Sequence, residues 1–205
     1  MSYEAEFATV DAVLRCPAET CGVDAFALSV IKAERQMRKL FTFLVFQAPA
    51  FQSSDVPSLR QALADNRDVY FNGFIKGWDA LYRSPVSNLV GHEYDHLLSR
   101  LNVATRHRNK IFHGQLTTES LGTDDLLDYV SDIRAWCTQL AQGAESEVGY
   151  DGFGRKSFRK SASPDFDSRL RVPLTSVADY RRFIRAHMEG WTARQLADAN
   201  EPRRL

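Results

Sequence analysis

The sequence predicts an all-α protein, an antiparallel four- to five-helix bundle followed by a basic C-terminal extension of short helix and irregular structure. Apolar residues recur at helical spacing in four long stretches of the chain. The connections between these stretches are short and carry Pro, Gly or Asp-Asn, which favour turns. The chain has 205 residues, of which 44% are hydrophobic, and this is enough to bury a core without metal or disulfide support.

The first two helical stretches cover residues 24–48 and 54–83. We expect Asp24 to be the N-cap of the first helix, because a carboxylate can accept hydrogen bonds from the free N–H groups of a first turn. Pro49 is expected to end this helix, since proline lacks the N–H group that a helix interior needs. The second stretch is predicted to be one helix, or two helices broken at Asp65-Asn66.

Two further helices are predicted on either side of a polar loop. The third helix is expected to cover residues 88–113, with Gly114 as its C-cap. Thr123 is predicted to cap the fourth helix, whose apolar face extends to Leu140. In residues 143–164 the helical spacing is lost among Gly, Ser, Glu and basic residues, which predicts a linker or a mobile loop.

The C-terminal extension is predicted from weaker signals. Residues 169–173 are expected to form a short strand, and a further short helix is expected from Thr192. Between them a last helix is predicted from one apolar face, formed by Val177, Tyr180, Phe183, Ile184 and Met188. The extension has too few apolar residues for a core of its own, so we expect it to pack on the bundle, on a partner or on RNA.

The predicted division of the chain follows from these elements. Residues 1–23 form an N-terminal segment, residues 24–143 form the helical bundle, and residues 144–205 form the linker and the basic extension.

Charge and cysteine content limit the partners and the compartment. Lys plus Arg and Asp plus Glu are 26 each, but twelve basic and seven acidic residues follow position 149, so the extension is basic. The three cysteines match no zinc-ligand spacing, and the sequence shows no secretory signal and no apolar run of about 20 residues. These observations predict a cytoplasmic protein without a membrane partner.

The strongest chemical signal is the run RNKIFH, Arg108 to His113, at the end of the third predicted helix. Asn109 and His113 are four positions apart and share a helix face, and the long side chain of Arg108 can reach the same place. An imidazole can take or give a proton near neutral pH, and a guanidinium can bind two oxygens of a phosphate. Asn109 can orient the imidazole or bind a phosphate oxygen. We therefore predict that Arg108, Asn109 and His113 are catalytic residues for metal-free RNA cleavage by a 2′-hydroxyl.

This run resembles the active-site motif of the HEPN superfamily, which has Arg, a polar residue, three more positions and then His on a late helix of a four-helix bundle. The resemblance covers about residues 24–143. It implies a face-to-face homodimer in which Arg108 and His113 of both chains line one cleft. It also implies an endoribonuclease that needs no metal or other cofactor and leaves 2′,3′-cyclic phosphate and 5′-hydroxyl ends.

Members of this superfamily serve as toxins, as anticodon nucleases and as effectors of antiviral defence, so the resemblance implies RNA as the substrate. Some toxin members carry a Tyr two residues after the His, where their antitoxin modifies it, and this chain has Gln115 there. An antitoxin that modifies this position is therefore not expected. Another antitoxin or regulatory partner is left open.

Basic residues beside the motif and in the extension are expected to bind RNA. Residues 152–161 interleave four cations with two aromatic rings, a composition that can contact phosphates and stack on bases. The residues predicted to contact RNA are His107, Lys110, Arg155, Lys156, Arg159 and Lys160.

Two other interpretations are left open by the residues. The run His92-Glu93-Tyr94-Asp95-His96 satisfies the HExxH pattern, in which His92 and His96 bind zinc and Glu93 activates water. The third histidine that some zinc proteases place six residues later is missing, since position 102 is Asn. The other alternative is a catalytically silent HEPN-like bundle that binds a nucleotide or a protein partner.

Overall fold

A computed structural model describes residues 3–114, 121–154, 156–161 and 166–190. This part of the chain is mainly helical and contains no strand or sheet, so the predicted all-α helical bundle is confirmed. None of its helices combines the length and the apolar character needed to cross a membrane. The helices are α1 Tyr3–Leu14, α2 Cys21–Phe46, α3 Val56–Ala64, α4 Phe71–Leu81, α5 Val86–Val90, α6 Tyr94–Phe112, α7 Thr123–Val148 and α8 Val177–His187, with short 3-10 turns at Ser53–Asp55 and Asp167–Arg169.

The chain separates into two compact units, and each unit joins segments that are far apart in sequence. The first comprises Met1–Gln36 and Ser87–Arg155, and the second comprises Met37–Val86 and Lys156–Leu205. The predicted division at residues 23 and 143 followed the order of the chain instead. Helical spacing shows which face of a segment is apolar, but it does not show which distant segment that face meets.

The beginnings of two long helices differ from the prediction. Helix α2 begins at Cys21, so Asp24 lies in its first turn and accepts a hydrogen bond from Thr20 Oγ1 at 2.9 Å. Helix α7 has Gly122 as its N-cap, and Thr123 is its first residue. The Gly122 N–H group donates to Asp125 Oδ2 at 2.9 Å. In both helices a carboxylate still lies near the N-terminus, where its negative charge interacts favourably with the positive end of the helix dipole.

The breaks between helices were predicted in one place and missed in another. The stretch 54–83 is the predicted broken pair, α3 and α4. The prediction of a single helix over residues 88–113 is wrong, because Gly91 takes φ +84° and separates α5 from α6. A left-handed residue stops a helix, and glycine adopts this conformation at little cost.

In the first unit α7 continues beyond the predicted end at Gly143. It ends at Val148, followed by Gly149 with φ +70°. Gly143 is needed for packing, since a Cβ atom added there would lie 2.1 Å from the Leu89 carbonyl oxygen. The core beside it contains Trp136 and the neighbouring rings of Phe26 and Tyr129, whose centroids are 5.9 Å apart. Part of the predicted linker is therefore helix.

In the second unit the predicted last helix, α8, packs against α3 and α4. Its apolar face is buried as predicted, and the Phe183 ring stacks 6.3 Å from that of Phe41. Gly73 and Gly77 of α4 leave room for Met188, since a Cβ at Gly73 would lie 2.3 Å from the Met188 carbonyl oxygen. Helix α8 of the C-terminal extension thus shares its core with residues 37–86.

The predicted strand at residues 169–173 is wrong. Only an isolated antiparallel bridge joins Tyr82 to Leu170, with the Arg171 N–H group donating to the Leu81 carbonyl oxygen at 2.8 Å. Without a longer partner strand the pairing stops after this bridge. The helix predicted from Thr192 lies outside the described residues.

Candidate functional site

Arg108 lies in the penultimate turn of α6 and forms an ion pair with Glu34 of α2. Its Nη2 group donates to Glu34 Oε1, and the two side chains are only 16% and 23% exposed. The guanidinium carbon lies 5.7 Å from the centroid of the Phe112 ring. The carboxylate and the ring therefore hold the guanidinium in one place at the end of the helix.

Asn109 and His113 lie at the same helix end, and both are exposed. His113 is the C-cap of α6, and its N–H group donates to the Asn109 carbonyl oxygen at 3.1 Å. The C-cap is therefore one residue earlier than the predicted Gly114, which follows it with φ +63°. This geometry leaves the imidazole accessible to a substrate.

The helix separates Arg108 from His113 more than the sequence interpretation assumed. Five residues correspond to roughly 140° of rotation around an α-helix. Arg108 turns toward Glu34, whereas His113 is exposed to solvent. In a single chain the arginine and the histidine thus lie on different sides of the helix end.

His107, predicted to contact RNA, is buried and only 7% exposed. Its ring lies 5.6 Å from that of Tyr129 in α7. Position 107 falls three residues after the fully buried Ala104, on the face of α6 that packs against α7. Burial on this face contradicts the predicted RNA contact, while Lys110 is partly exposed.

The described part of residues 152–161, the segment predicted to bind RNA and called the basic arm below, is folded against its own chain. Lys160 donates through Nζ to the carbonyl oxygens of Phe46, at 2.6 Å, and Ala48, at 2.8 Å. Gln47 Nε2 donates to the Arg159 carbonyl oxygen at 3.0 Å, and Gln47 Oε1 accepts from the Ser161 N–H group at 2.7 Å. Lys160 therefore satisfies carbonyl groups at the end of α2, which is a structural role that the prediction did not foresee.

The other cations of this arm have different surroundings. The Arg159 guanidinium lies 5.4 Å from the Phe43 ring centroid, whereas Lys156 is exposed. Arg155 lies outside the described residues. Of the arm's described cations, Lys156 thus best fits the predicted RNA contact.

The two histidines of the HExxH run do not lie on one helix. His92 and Glu93 precede α6, and His96 lies within it. The Glu93 carboxylate accepts a hydrogen bond from Gln139 Nε2 of α7. In the HExxH zinc pattern both histidines lie on one helix, one turn apart, and no group of three His, Cys, Asp or Glu residues suited to a metal occurs in the described part of the chain.

Glu34 was not among the residues predicted from the sequence. The ion pair joins positions 74 residues apart, so no local spacing could reveal it. The sequence offers one hint, since Glu34 is one of two acidic residues in α2, against four basic ones. Comparisons of the chain with known protein families, with curated proteins and with solved structures gave no match.

Proposed function

We propose that the protein is a metal-independent endoribonuclease of the HEPN type, which acts as a homodimer on single-stranded or loop RNA. The observation that carries the proposal is the pairing of Arg108 with Glu34 at the helix end where His113 is exposed. An anchored guanidinium and an accessible imidazole are the two groups that this reaction needs.

Arg108 stabilises the phosphate in this proposal. Glu34 holds one side of the guanidinium, and the several N–H donors of arginine leave others for phosphate oxygens. Because the pair is partly buried, its attraction is screened less than that of a surface pair. Glu34 is therefore a positioning residue, while Arg108 meets the charge that develops on the phosphoryl oxygens.

His113 transfers protons. One imidazole removes the proton of the 2′-hydroxyl, the oxygen attacks the adjacent phosphorus, and the bond from phosphorus to the 5′-oxygen breaks. A protonated imidazole, supplied by the symmetry-related His113, donates a proton to the leaving oxygen. The products are a 2′,3′-cyclic phosphate and a 5′-hydroxyl group. Asn109 is placed one helical turn before His113 and orients it or binds a phosphate oxygen.

Exposed apolar side chains beside the ion pair support the homodimer. Phe112 is 58% exposed and Ile31 is 41% exposed. Phe112 borders the Arg108 guanidinium, and Ile31 lies one turn before Glu34 on α2. A two-fold axis through this surface would bury these side chains against their copies and bring two sets of Arg108 and His113 to one cleft.

The biological setting follows from the resemblance alone. A cytoplasmic toxin or effector of antiviral defence, held in check by an antitoxin or another regulator, is part of the same proposal. Reduced cysteines fit this compartment, since the three cysteines in the chain are unpaired with one another.

The nature of the products tests the proposal. Purified protein is incubated with RNA in excess EDTA, and the ends of the fragments are mapped by their susceptibility to phosphatase and polynucleotide kinase. We expect cyclic phosphate and 5′-hydroxyl ends from the wild type and from His92→Ala, and no fragments from His113→Ala. Activity lost in EDTA and restored by zinc would overturn the mechanism. A folded dimer that cuts no RNA would leave the silent binding module instead.

A further inference from the structure

The second unit contains a pocket of about 470 Å³ that the proposed nuclease does not use. Its walls come from α2, from α3 and the turn after it, from Phe74 of α4, and from Ser157 and Phe158. The volume lies within the range of sites that bind small organic molecules. The arm segment that carries Ser157 and Phe158 is fixed at the end of α2 by the Gln47 hydrogen bonds, so this wall of the pocket is already formed.

The pocket is positively charged. Arg38, Lys39 and Arg60 line it, and no carboxylate from the described residues does. The nearest acidic residue along the chain, Asp65, forms an ion pair with Arg181 through Oδ2 and Nη1 at 3.0 Å. Asp65 is thus engaged elsewhere, and the positive charge of Arg38 and Arg60 can attract an anion into the pocket.

Two of these cations are oriented by aromatic rings. The guanidinium carbon of Arg38 lies 5.8 Å from the Phe74 ring centroid, and that of Arg60 lies 5.1 Å from the Phe158 ring centroid. Neither arginine forms an ion pair with a described residue. A guanidinium that lies over a ring keeps its N–H edge free to bind the oxygens of a phosphate or carboxylate.

The rest of the lining suits an organic body attached to the anion. Leu63, Val69 and the two phenylalanines provide apolar surface. Asn66 uses its amide N–H to bind the Ala62 carbonyl oxygen at 2.7 Å, so its side-chain oxygen can accept from a ligand. An apolar wall with one acceptor complements a ring that carries N–H or O–H groups.

We propose that this pocket binds a phosphorylated small molecule with a flat organic ring, the class that contains the nucleoside phosphates. The two arginines Arg38 and Arg60 favour a ligand with more than one negative charge, and a phosphate group carries about −1.5 to −2 at pH 7. A monocarboxylate would leave part of this charge uncompensated. The proposal does not depend on the nuclease, since none of its residues belongs to the Arg108 motif.

Isothermal titration of the full chain with adenosine 5′-diphosphate tests the proposal. Adenosine and inorganic phosphate are titrated separately to measure the contributions of the ring and of the charge. We expect saturable binding of the diphosphate, with adenosine and inorganic phosphate each at least about tenfold weaker. Equal affinity for inorganic phosphate would overturn the role of the ring, and absence of saturable diphosphate binding would overturn the proposal.

Substitutions of two pocket residues test whether the diphosphate binds in this pocket. Arg38→Gln and Arg60→Gln should each weaken diphosphate binding about tenfold or more, because each removes a charge-assisted contact. Arg185→Gln is the matched control, since Arg185 is exposed on α8 and does not line the pocket. Equal affinity in all three variants would place the binding elsewhere and contradict the proposal.

A further variant changes the volume of the pocket and leaves its charge unchanged. Ala64 lines the pocket and is exposed, so Ala64→Phe narrows the cavity without burying a new polar group. We expect this variant to lose diphosphate affinity while it keeps its binding of inorganic phosphate. Circular dichroism confirms that each variant is folded. Binding of a single-stranded RNA oligonucleotide without any binding of the mononucleotide would show an RNA surface and overturn the small-molecule site.

Discussion

At the residue scale, Arg108 owes its position to Glu34. The two side chains are largely withdrawn from solvent, and the carboxylate compensates a guanidinium that would otherwise be partly buried without a partner. Neutralising Glu34 therefore affects both the stability and the orientation of the arginine.

Glu34→Gln should lower the free energy of unfolding by about 1 kcal/mol, because the amide removes the charge partner of Arg108 while it retains a hydrogen-bonding oxygen. The same change should reduce the rate of RNA cleavage at saturating RNA. Urea denaturation and a cleavage assay measure the two effects. Glu145→Gln, at an exposed position of α7, is the control and should change neither. An unchanged stability in Glu34→Gln would show that the pair does not hold Arg108.

Asp79 contributes more to stability at low pH than at neutral pH, which is the reverse of the usual effect of a carboxyl group. Burial raises the pKa of its carboxyl group above 3.8, although the hydrogen bond from the Val86 N–H group and the nearby Lys76 and Arg171 oppose this shift. The folded state thus holds this proton more tightly than the unfolded state. The contribution of Asp79 is most favourable below pH 3.8 and declines as the pH rises toward the raised folded pKa.

Asp79→Asn keeps an oxygen for the Val86 N–H group and removes the buried charge. We expect its melting temperature to exceed that of the wild type at pH 7 and the difference to shrink toward pH 3. Melting curves followed by circular dichroism across this range measure the effect. Asp128→Asn, at an exposed position, should show no such dependence. A lower melting temperature for Asp79→Asn at pH 7 would contradict the assigned direction.

At the element scale, helix content could be predicted from the sequence because apolar spacing and turn residues are local properties. The broken pair at residues 54–83 and the apolar face of α8 are two such cases. The break at Gly91 was missed, because a glycine within a helical pattern does not reveal whether it takes a positive φ. The true end of α7 was missed because the apolar helical spacing is lost from residue 143 onward, among Gly, Ser and Glu residues.

Gly143→Ala tests the packing role of that glycine. Alanine favours a helix more than glycine does, but its Cβ would lie 2.1 Å from the Leu89 carbonyl oxygen. We expect a loss of about 3 kcal/mol in the free energy of unfolding. Gly149→Ala is the matched comparison: φ is +70° there and no atom lies within 4 Å of the added Cβ, so it should cost only about 1 kcal/mol. Urea denaturation measures both losses. If Gly143→Ala loses less free energy of unfolding than Gly149→Ala, residue 143 does not lie as close to the Leu89 carbonyl oxygen as described.

At the scale of the whole molecule, the candidate site was predicted in part. The exposed His113 and Asn109 follow from helical spacing, as does their place at a helix end. The burial of His107, the anchor at Glu34 and the carbonyl contacts of Lys160 all depend on segments far away in sequence. The spacing of residues along the sequence could not predict these contacts, since each one forms only when distant segments pack together.

The proposed homodimer makes the exposed Phe112 a residue of the interface. Phe112→Ser should shift the protein from dimer to monomer, because the phenyl ring supplies a large share of the apolar area beside the ion pair. Sedimentation equilibrium measures the shift. Leu127→Ser removes another exposed apolar side chain and should leave the dimer intact. A monomeric wild type, or a Phe112→Ser variant as dimeric as the wild type, would contradict this interface.

The rate of RNA cleavage under single-turnover conditions tests the central claim most directly. One single-stranded RNA oligonucleotide is cut by an excess of protein in EDTA, with the wild type, His113→Ala, Arg108→Ala and the control His96→Ala, which removes an exposed histidine from the same helix. We expect His113→Ala and Arg108→Ala to slow cleavage by about 10²–10⁴-fold, and His96→Ala to cleave within about twofold of the wild-type rate. A His113→Ala protein that cleaves at the wild-type rate would contradict the account.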